Sequence, residues 1–547
     1  MRRMRLLRQR TPRALGDDWV QPRRSGRSTT IGNLDSSFRA AVDPAGLVTL
    51  DGAAWSLDWW VGAEDRWHLP CREVAVRQSL LNSSPVVETR LRVPSGDAVH
   101  RAYAARDAAG DEVVVIEVEN QSKVPFAVAL AIRPHGQVDV GRVDEIALTG
   151  ASVHIDGRQA IVLARSPGRM ALSDATADSA AIVLAGNAVP VSTASVRCAE
   201  GLAQGALLFP LAHTATLRVV LPAPGHEAGT EPAALPSATQ VASGWSTQSA
   251  RGARIEVPDR RLRDAVLAST RHLLLSQGTV DGAAALDLLG FPDEAARTLT
   301  ADPNGLARTP RPGRALDAVA RHWELTHDRG FATTVVDLVG ALIAALGRTA
   351  DPDERAAGAA ALPGVAALLD DAGEDRAAAD AGRMADTLTV AAGSPDGAAL
   401  AALLSSAGGT WTWPGDGTGH DPTANAALVS LVRHLLVTET RDGLTLLPEV
   451  PDSWLGQGVE LHDAPTTHGR LSYAVRWHGD RPALLWHLEP HADRTSVAIT
   501  VPGLDPSFTT DDPRGEALLA PVALPDKGPR KGLSLPVHIE PMHRGPT

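Results

Sequence analysis

The period of the hydrophobic pattern changes twice along this 547-residue chain, and these two changes limit its fold more than any other feature. Up to about Pro222, apolar and polar residues alternate. Val87, Thr89, Leu91 and Val93 fall on one side of an extended chain, with Glu88, Arg90 and Arg92 on the other. Pro94-Ser95-Gly96-Asp97 turns this strand into a second one that runs through Tyr103. The apolar run 113–118 is followed by another from Phe126 to Ile132, across the polar link Asn120-Gln121-Ser122-Lys123. Many short strands separated by turns predict an antiparallel β-sandwich over residues 31–222, and the Pro-, Gly- and Ala-rich stretch 223–257 reads as a linker.

From Pro258 the spacing becomes helical. Leu262, Val266, Ser269 and Leu273 form one stripe, and Leu316, Val319 and Trp323 another, with Asp317 and Arg321 spaced as an exposed pair. Further helical stretches cover 333–346, 353–369, 375–390 and 398–404, and Asp421-Pro422 opens a last one. Roughly eight helices with short connections predict stacked antiparallel hairpins over 258–440. Alternation returns after Gly443, with Leu471, Tyr473, Val475 and Trp477 on one face and a turn at Gly479-Asp480-Arg481-Pro482. Residues 441–547 therefore read as a second β-sandwich and tail. The predicted fold class is multidomain α and β, with the helical part between two sandwiches.

A chain of this length exceeds one hydrophobic core, so two to four domains are expected. Its formal charge of −12 argues against nucleic acid, which needs a basic face to neutralise phosphates. The arginines among residues 1–13 are not followed by the apolar stretch of a secretory signal, so residues 1–30 read as a flexible basic tail. No run approaches the roughly 20 apolar residues of a membrane span. A cytoplasmic location with Cys71 and Cys198 reduced is the expectation, and two cysteines are too few for a thiolate metal site. No His/Asp/Glu set has metal spacing, and neither a GxSxG elbow nor a phosphate loop occurs, so neither metal nor cofactor is expected.

The β–α–β order, with particular phrases, resembles bacterial six-hairpin glycosidases: α-L-rhamnosidases, α-L-fucosidases and glycogen-debranching-type α-glucosidases. Leu446-Leu447-Pro448-Glu449-Val450-Pro451-Asp452-Ser453-Trp454 is similar to their junction between toroid and sandwich. The phrase from Ala285 to Ala296 resembles one helix–turn–helix corner, and Ala315 to Asp328 another. The resemblance implies a carbohydrate or oligosaccharide partner and hydrolysis by two carboxyl groups, on an intracellular oligosaccharide. A full toroid has twelve helices, so the count here implies a reduced one. The alternative is a catalytically degenerate glycan-binding or scaffold protein. The oligomeric state is left open.

The richest local cluster is Trp411-Thr412-Trp413-Pro414-Gly415-Asp416-Gly417-Thr418-Gly419-His420-Asp421. Trp411 and Trp413 offer stacking surfaces for sugar rings, and His420 is a further candidate for substrate binding. Asp416 and Asp421 are candidate catalytic carboxylates, with Glu324 as the partner across the site. Each also has an ordinary reading: Asp421 as an N-cap before Pro422, Asp416 as a turn residue, Glu324 as a solvated helix carboxylate. Asp293 and Glu294 sit at a hairpin corner and read as helix caps. The aromatic–acidic cluster Trp55, Asp58, Trp59, Trp60, Glu64, Asp65 and Trp67 reads as packing.

Overall fold

A computed structural model describes residues 26–137, 139–191, 194–227, 231–276, 278–387, 397–413, 422–492 and 496–524. The chain forms two compact units that divide between Ser243 and Gly244. An antiparallel, sheet-rich N-terminal region is followed by a helical half, as the two periods require.

The N-terminal unit holds two nine-stranded sheets. In one, Ser56–Gly62, Phe126–Arg133 and Gln204–Leu211 lie side by side, with Val128 opposite both Val61 and Phe209. In the other, Val86–Val93, Gly96–Arg106, Glu112–Asn120 and Thr216–Pro222 are neighbours. Trp59, Leu130 and Leu207 from the first sheet share one core with Leu91, Ile116 and Val219 from the second. The first sheet is also covered on its other face. There Trp60, Ala129, Ala131 and Ala206 pack with Ala180 and Val183 of α1 (Ser179–Leu184). Burial on both faces explains why residues 126–132 read as a continuous apolar run. Within the expected linker, Leu235 and Ala238 are buried against Val86 and Tyr103, and Ala238 begins α2 (Ala238–Ser249). That stretch therefore holds a helix where composition suggested none.

The second unit contains α3 (Arg260–Leu275), α4 (Val280–Leu288), α5 (Pro292–Thr300), α6 (Pro303–Leu306), α7 (Pro312–Thr326), α8 (Arg329–Leu346), α9 (Pro352–Asp371), α10 (Asp375–Thr387), α11 (Gly397–Ser406) and α12 (Pro422–Leu436). Helix starts are set by short side chains that accept free backbone N–H groups. Asp259 accepts from Leu262, Thr279 from Gly282, and Asp328 from Gly330 and Phe331. Proline occupies the first turn of α5, α6, α7 and α9, where its missing N–H costs nothing. The alanine-rich stretch is one helix, α9, with Pro363 inside it. Between 258 and 440 the described residues hold ten helices where periodicity suggested about eight, because α5 and the one-turn α6 are too short to display a stripe. By length and composition α8 could cross a membrane; here Phe331, Val335, Leu338, Val339 and Leu342 are buried within the unit.

The C-terminal strands belong to the same compact unit as the helices. Arg254–Glu256, ahead of the helices, pairs with Val459–Thr466 behind them. That sheet continues through Gly469–His478, Arg481–Pro490 and Arg514–Leu518. A four-stranded sheet adds Val437–Thr440, Gly443–Leu446, Ala498–Val501 and Asp505–Thr510. Tyr473 Oη donates to the carbonyl of Leu436 at the end of α12 (2.9 Å), tying strand to helix.

Candidate functional site

Three helices of the second unit run in the same direction, and their side chains establish it. At their N-terminal ends, Asp281 of α4 pairs with Arg311 (3.2 Å) and with Arg314 of α7 (3.7 Å). Glu354 of α9 accepts from the Gly313 and Arg314 N–H groups at 2.8 and 3.1 Å. A carboxylate here meets the positive end of the α7 dipole and caps otherwise free donors. Gly313 abuts the Glu354 carbonyl so closely that a Cβ would collide with it. At the far ends, His322 Nδ1 of α7 lies 2.8 Å from Asp287 Oδ1 of α4, and Trp323 Nε1 donates to Asp371 of α9 at 3.1 Å. Both members of the Asp287–His322 pair are buried, and burial pushes the Asp287 carboxyl up against the opposing effect of His322.

A cleft of about 610 Å³ opens along these helices and α12. Each helix lines it with one face: Asp281, Ala284 and Leu288 of α4; Arg314, Asp317 and Arg321 of α7; Asp353 and Ala357 of α9; Ala426, Ser430 and Arg433 of α12. Alanines at mid-helix leave the space, and charged residues occupy its two ends. Asp317 pairs with Arg321 at 3.6 Å. At the same end, Arg433 is 3 % exposed. Its Nη2 donates to the Pro465 carbonyl at 2.6 Å and lies 3.6 Å from Glu439 Oε1. The other Glu439 oxygen accepts from the Thr467 N–H at 2.7 Å. Nε and Nη1 of Arg433 are buried with no hydrogen-bond partner among the described residues. Burial lowers the pKa of this guanidinium from its usual value, with Glu439 opposing and Arg321 reinforcing the shift. At the other end stands Asp353, which makes no ion pair among the described residues.

The residues nominated from sequence are placed as follows. Asp416, His420 and Asp421 lie outside the described residues, and so do their distances to Glu324. Trp413 is buried, with Nε1 donating to the Leu403 carbonyl at 3.0 Å. Trp411 is half-buried beneath the Arg261 guanidinium, 5.6 Å from the ring centroid. Neither indole lines the cleft. Glu324 is half-buried on α7 directly over Gly364 of α9 and does not line the cleft either. Asp293 and Glu294 stand in the first turn of α5 but do not cap it: Phe291 holds the cap position and no side chain accepts there.

In the N-terminal aromatic–acidic cluster Asp58, Trp59 and Trp60 are buried, Trp55 and Trp67 are half-buried, and Glu64 and Asp65 are exposed. Trp59 Nε1 donates to the Ala45 carbonyl at 2.9 Å and Trp60 Nε1 to Asp58 at 2.8 Å. Burial pushes the Asp58 carboxyl up to about 7, although the Trp60 indole, Arg133 and the Trp59 N–H oppose the shift. His68 sits between Asp65 at 2.9 Å and Glu73 at 3.1 Å. Both cysteines are free, and burial, with Asp58 nearby, pushes the Cys71 thiol up to about 12.

Sequence reasoning noticed Asp317 and Arg321 but read them as a solvated pair, and it passed over Asp281, Arg314, Asp353, Arg433 and Glu439. The available signal was the spacing of Arg314, Asp317 and Arg321, which forms a charged face on a helix whose other faces are apolar. Among the described residues no group of three or more His, Cys, Asp or Glu side chains is arranged to hold a metal ion.

No protein-family model matches this sequence, and no curated protein matches it. A solved chain titled "Putative kojibiose phosphorylase from human microbiome" overlaps 89 % of this chain and 87 % of its own, at 7 % identity and a TM-score of 0.35. An overlap this loose carries no argument about activity.

Proposed function

We propose that the second unit holds a carbohydrate in the cleft between α4, α7, α9 and α12, and that the chain is a glycan-binding relative of the six-hairpin glycosidases with a reduced toroid. One observation carries this reading: donor-only guanidinium groups and acceptor-only carboxylates stand side by side around a cleft of about 610 Å³. A sugar hydroxyl both donates and accepts, so a polyol satisfies such a lining where an apolar ligand would leave it unpaired. The volume suits a small oligosaccharide.

Binding without cleavage follows from how the carboxylates are engaged. A glycosidase needs one carboxyl to deliver a proton and a second to act as base or nucleophile. Asp281 has an oxygen committed to Arg311 at 3.2 Å and Glu439 one to the Thr467 N–H at 2.7 Å, and Asp317 faces the Arg321 guanidinium at 3.6 Å. Hydrolysis is the second reading, and Asp353 favours it, because its carboxylate lines the cleft and makes no ion pair among the described residues.

A glycan array on the full chain, followed by calorimetry of each hit, tests the first reading. At least one oligosaccharide should bind, and Asp281→Asn and Asp317→Asn should weaken it; an array with no hit removes the carbohydrate reading. Turnover of an aryl glycoside that disappears in Asp353→Asn, with binding intact, would instead establish the hydrolase.

A further inference from the structure

We infer that the Arg321–Arg433 end of this cleft is an oxyanion subsite, so that the sugar it takes carries a carboxylate or phosphate group; this rests on the carbohydrate reading. Arg433 is the central observation. A guanidinium has five N–H donors and stays charged in proteins. In Arg433, Nη2 has a carbonyl partner, whereas the buried Nε and Nη1 have none. Its nearest carboxylate is 3.6 Å away, beyond hydrogen-bond length, and the other oxygen of that carboxylate is held by a backbone N–H.

Buried, unsatisfied donors on a charged group are among the costlier features a fold can retain. The charge of Arg321 also acts on Arg433 and adds to its cost. Arg321 itself is partly exposed, so it offers further donors at the same end of the cleft. A hydroxyl from a neutral sugar would supply an acceptor but no charge. An oxyanion supplies both, through the stronger charge-assisted bond.

The opposite end sets the ligand's direction. Asp281 and Asp353 present acceptors there, with Arg314 between α7 and α9. Sugar hydroxyls can donate to those carboxylates, whereas an anion would be repelled by them. The acidic substituent therefore points to Arg433 and the hydroxyls to Asp353.

Calorimetry on the full chain tests this with four probe classes: neutral glucosides, galactosides, rhamnosides and fucosides; glucuronate and galacturonate; glucose 6-phosphate; and inorganic phosphate or acetate alone. The expected result is that an acidic sugar binds about tenfold or more tightly than its neutral counterpart. Preference for the uronates or for the phosphate ester then identifies which source of oxyanion the subsite serves. Arg433→Met and Arg321→Gln should each abolish that increment, so that in each variant the acidic sugar binds no more tightly than its neutral counterpart. Arg321 is partly exposed, so its variant keeps the test valid if Arg433→Met fails to fold. Neutral and acidic sugars bound equally would overturn the oxyanion subsite and leave the carbohydrate reading intact. Phosphate or acetate bound with no sugar at all would overturn the carbohydrate reading and keep the anion site. No binding by any probe would overturn both.

Discussion

Replacing Asp58 by Asn should change how the N-terminal unit's stability depends on pH. In the folded chain the Asp58 carboxyl titrates at about 7, against an ordinary value of 3.8. A group whose pKa is raised on folding stabilises most below its unfolded value, and that contribution is lost as pH rises through the folded one. The interval from 3.8 to about 7, at about 1.36 kcal/mol per pH unit, amounts to about 4 kcal/mol. His100 acts in the opposite direction. Burial lowers it from 6.5 to about 3, so its contribution is present above pH 6.5 and is lost on acidification. A wild-type pH profile mixes the two, and only a difference between variants isolates Asp58. Asparagine cannot ionise, but its amide turns a donor toward either the Trp59 N–H or the Trp60 indole, both of which donate to Asp58 at 2.8 Å. That mismatch should cost roughly 1–3 kcal/mol at every pH. The variant should therefore be less stable than wild type near pH 4, and equal or more stable near pH 8. Hydrogen-exchange mass spectrometry of segments 56–62 and 126–133 measures this, with each variant compared to wild type at the same pH. A wild-type-minus-variant difference that does not move between pH 4 and pH 8 would refute the reasoning.

Asp178→Ala should destabilise the same unit by about 3–5 kcal/mol, because it leaves Arg133 buried without the carboxylate now 2.7 Å from Nη1; a change in urea midpoint worth under 1 kcal/mol would contradict this. Cys71 should react with a maleimide at pH 8 far more slowly than an unfolded control, since burial and the nearby Asp58 disfavour its thiolate. Equal labelling rates would show that the thiol is not held down. Glu354→Gln should weaken both the α7 start and the tie to α9 by about 1–2 kcal/mol. A thermal midpoint identical to wild type would remove that role.

The order strand, helix, strand was legible because burial on one face imposes a period, and periods survive in a single sequence. The helix start at Pro422 was legible because proline suits the first turn of a helix, which is local chemistry. What sequence could not show was contact between distant segments. The pairing of Arg254–Glu256 with Val459–Thr466 merges the C-terminal strands with the helices, and no local pattern announces it. The cleft was missed for the same reason. Its walls come from four helices, and each contributes charges that look solvated until the neighbours are in place. Local richness instead drew attention to Trp411 and Trp413, where one indole proves to be core and the other lies under Arg261. A cluster dense in sequence reports proximity along the chain, whereas Asp281, Arg321 and Arg433 come to line one cleft only through the fold.

The central claim, that carbohydrate occupies the α4–α7–α9–α12 cleft, is tested most directly by hydrogen exchange on the full chain with and without a saturating sugar found by array. Protection should rise in segments 280–288, 312–326, 352–360 and 422–439, and stay unchanged across the strands before Pro222. Protection confined to any other part of the chain, with these four segments unaffected, would contradict it.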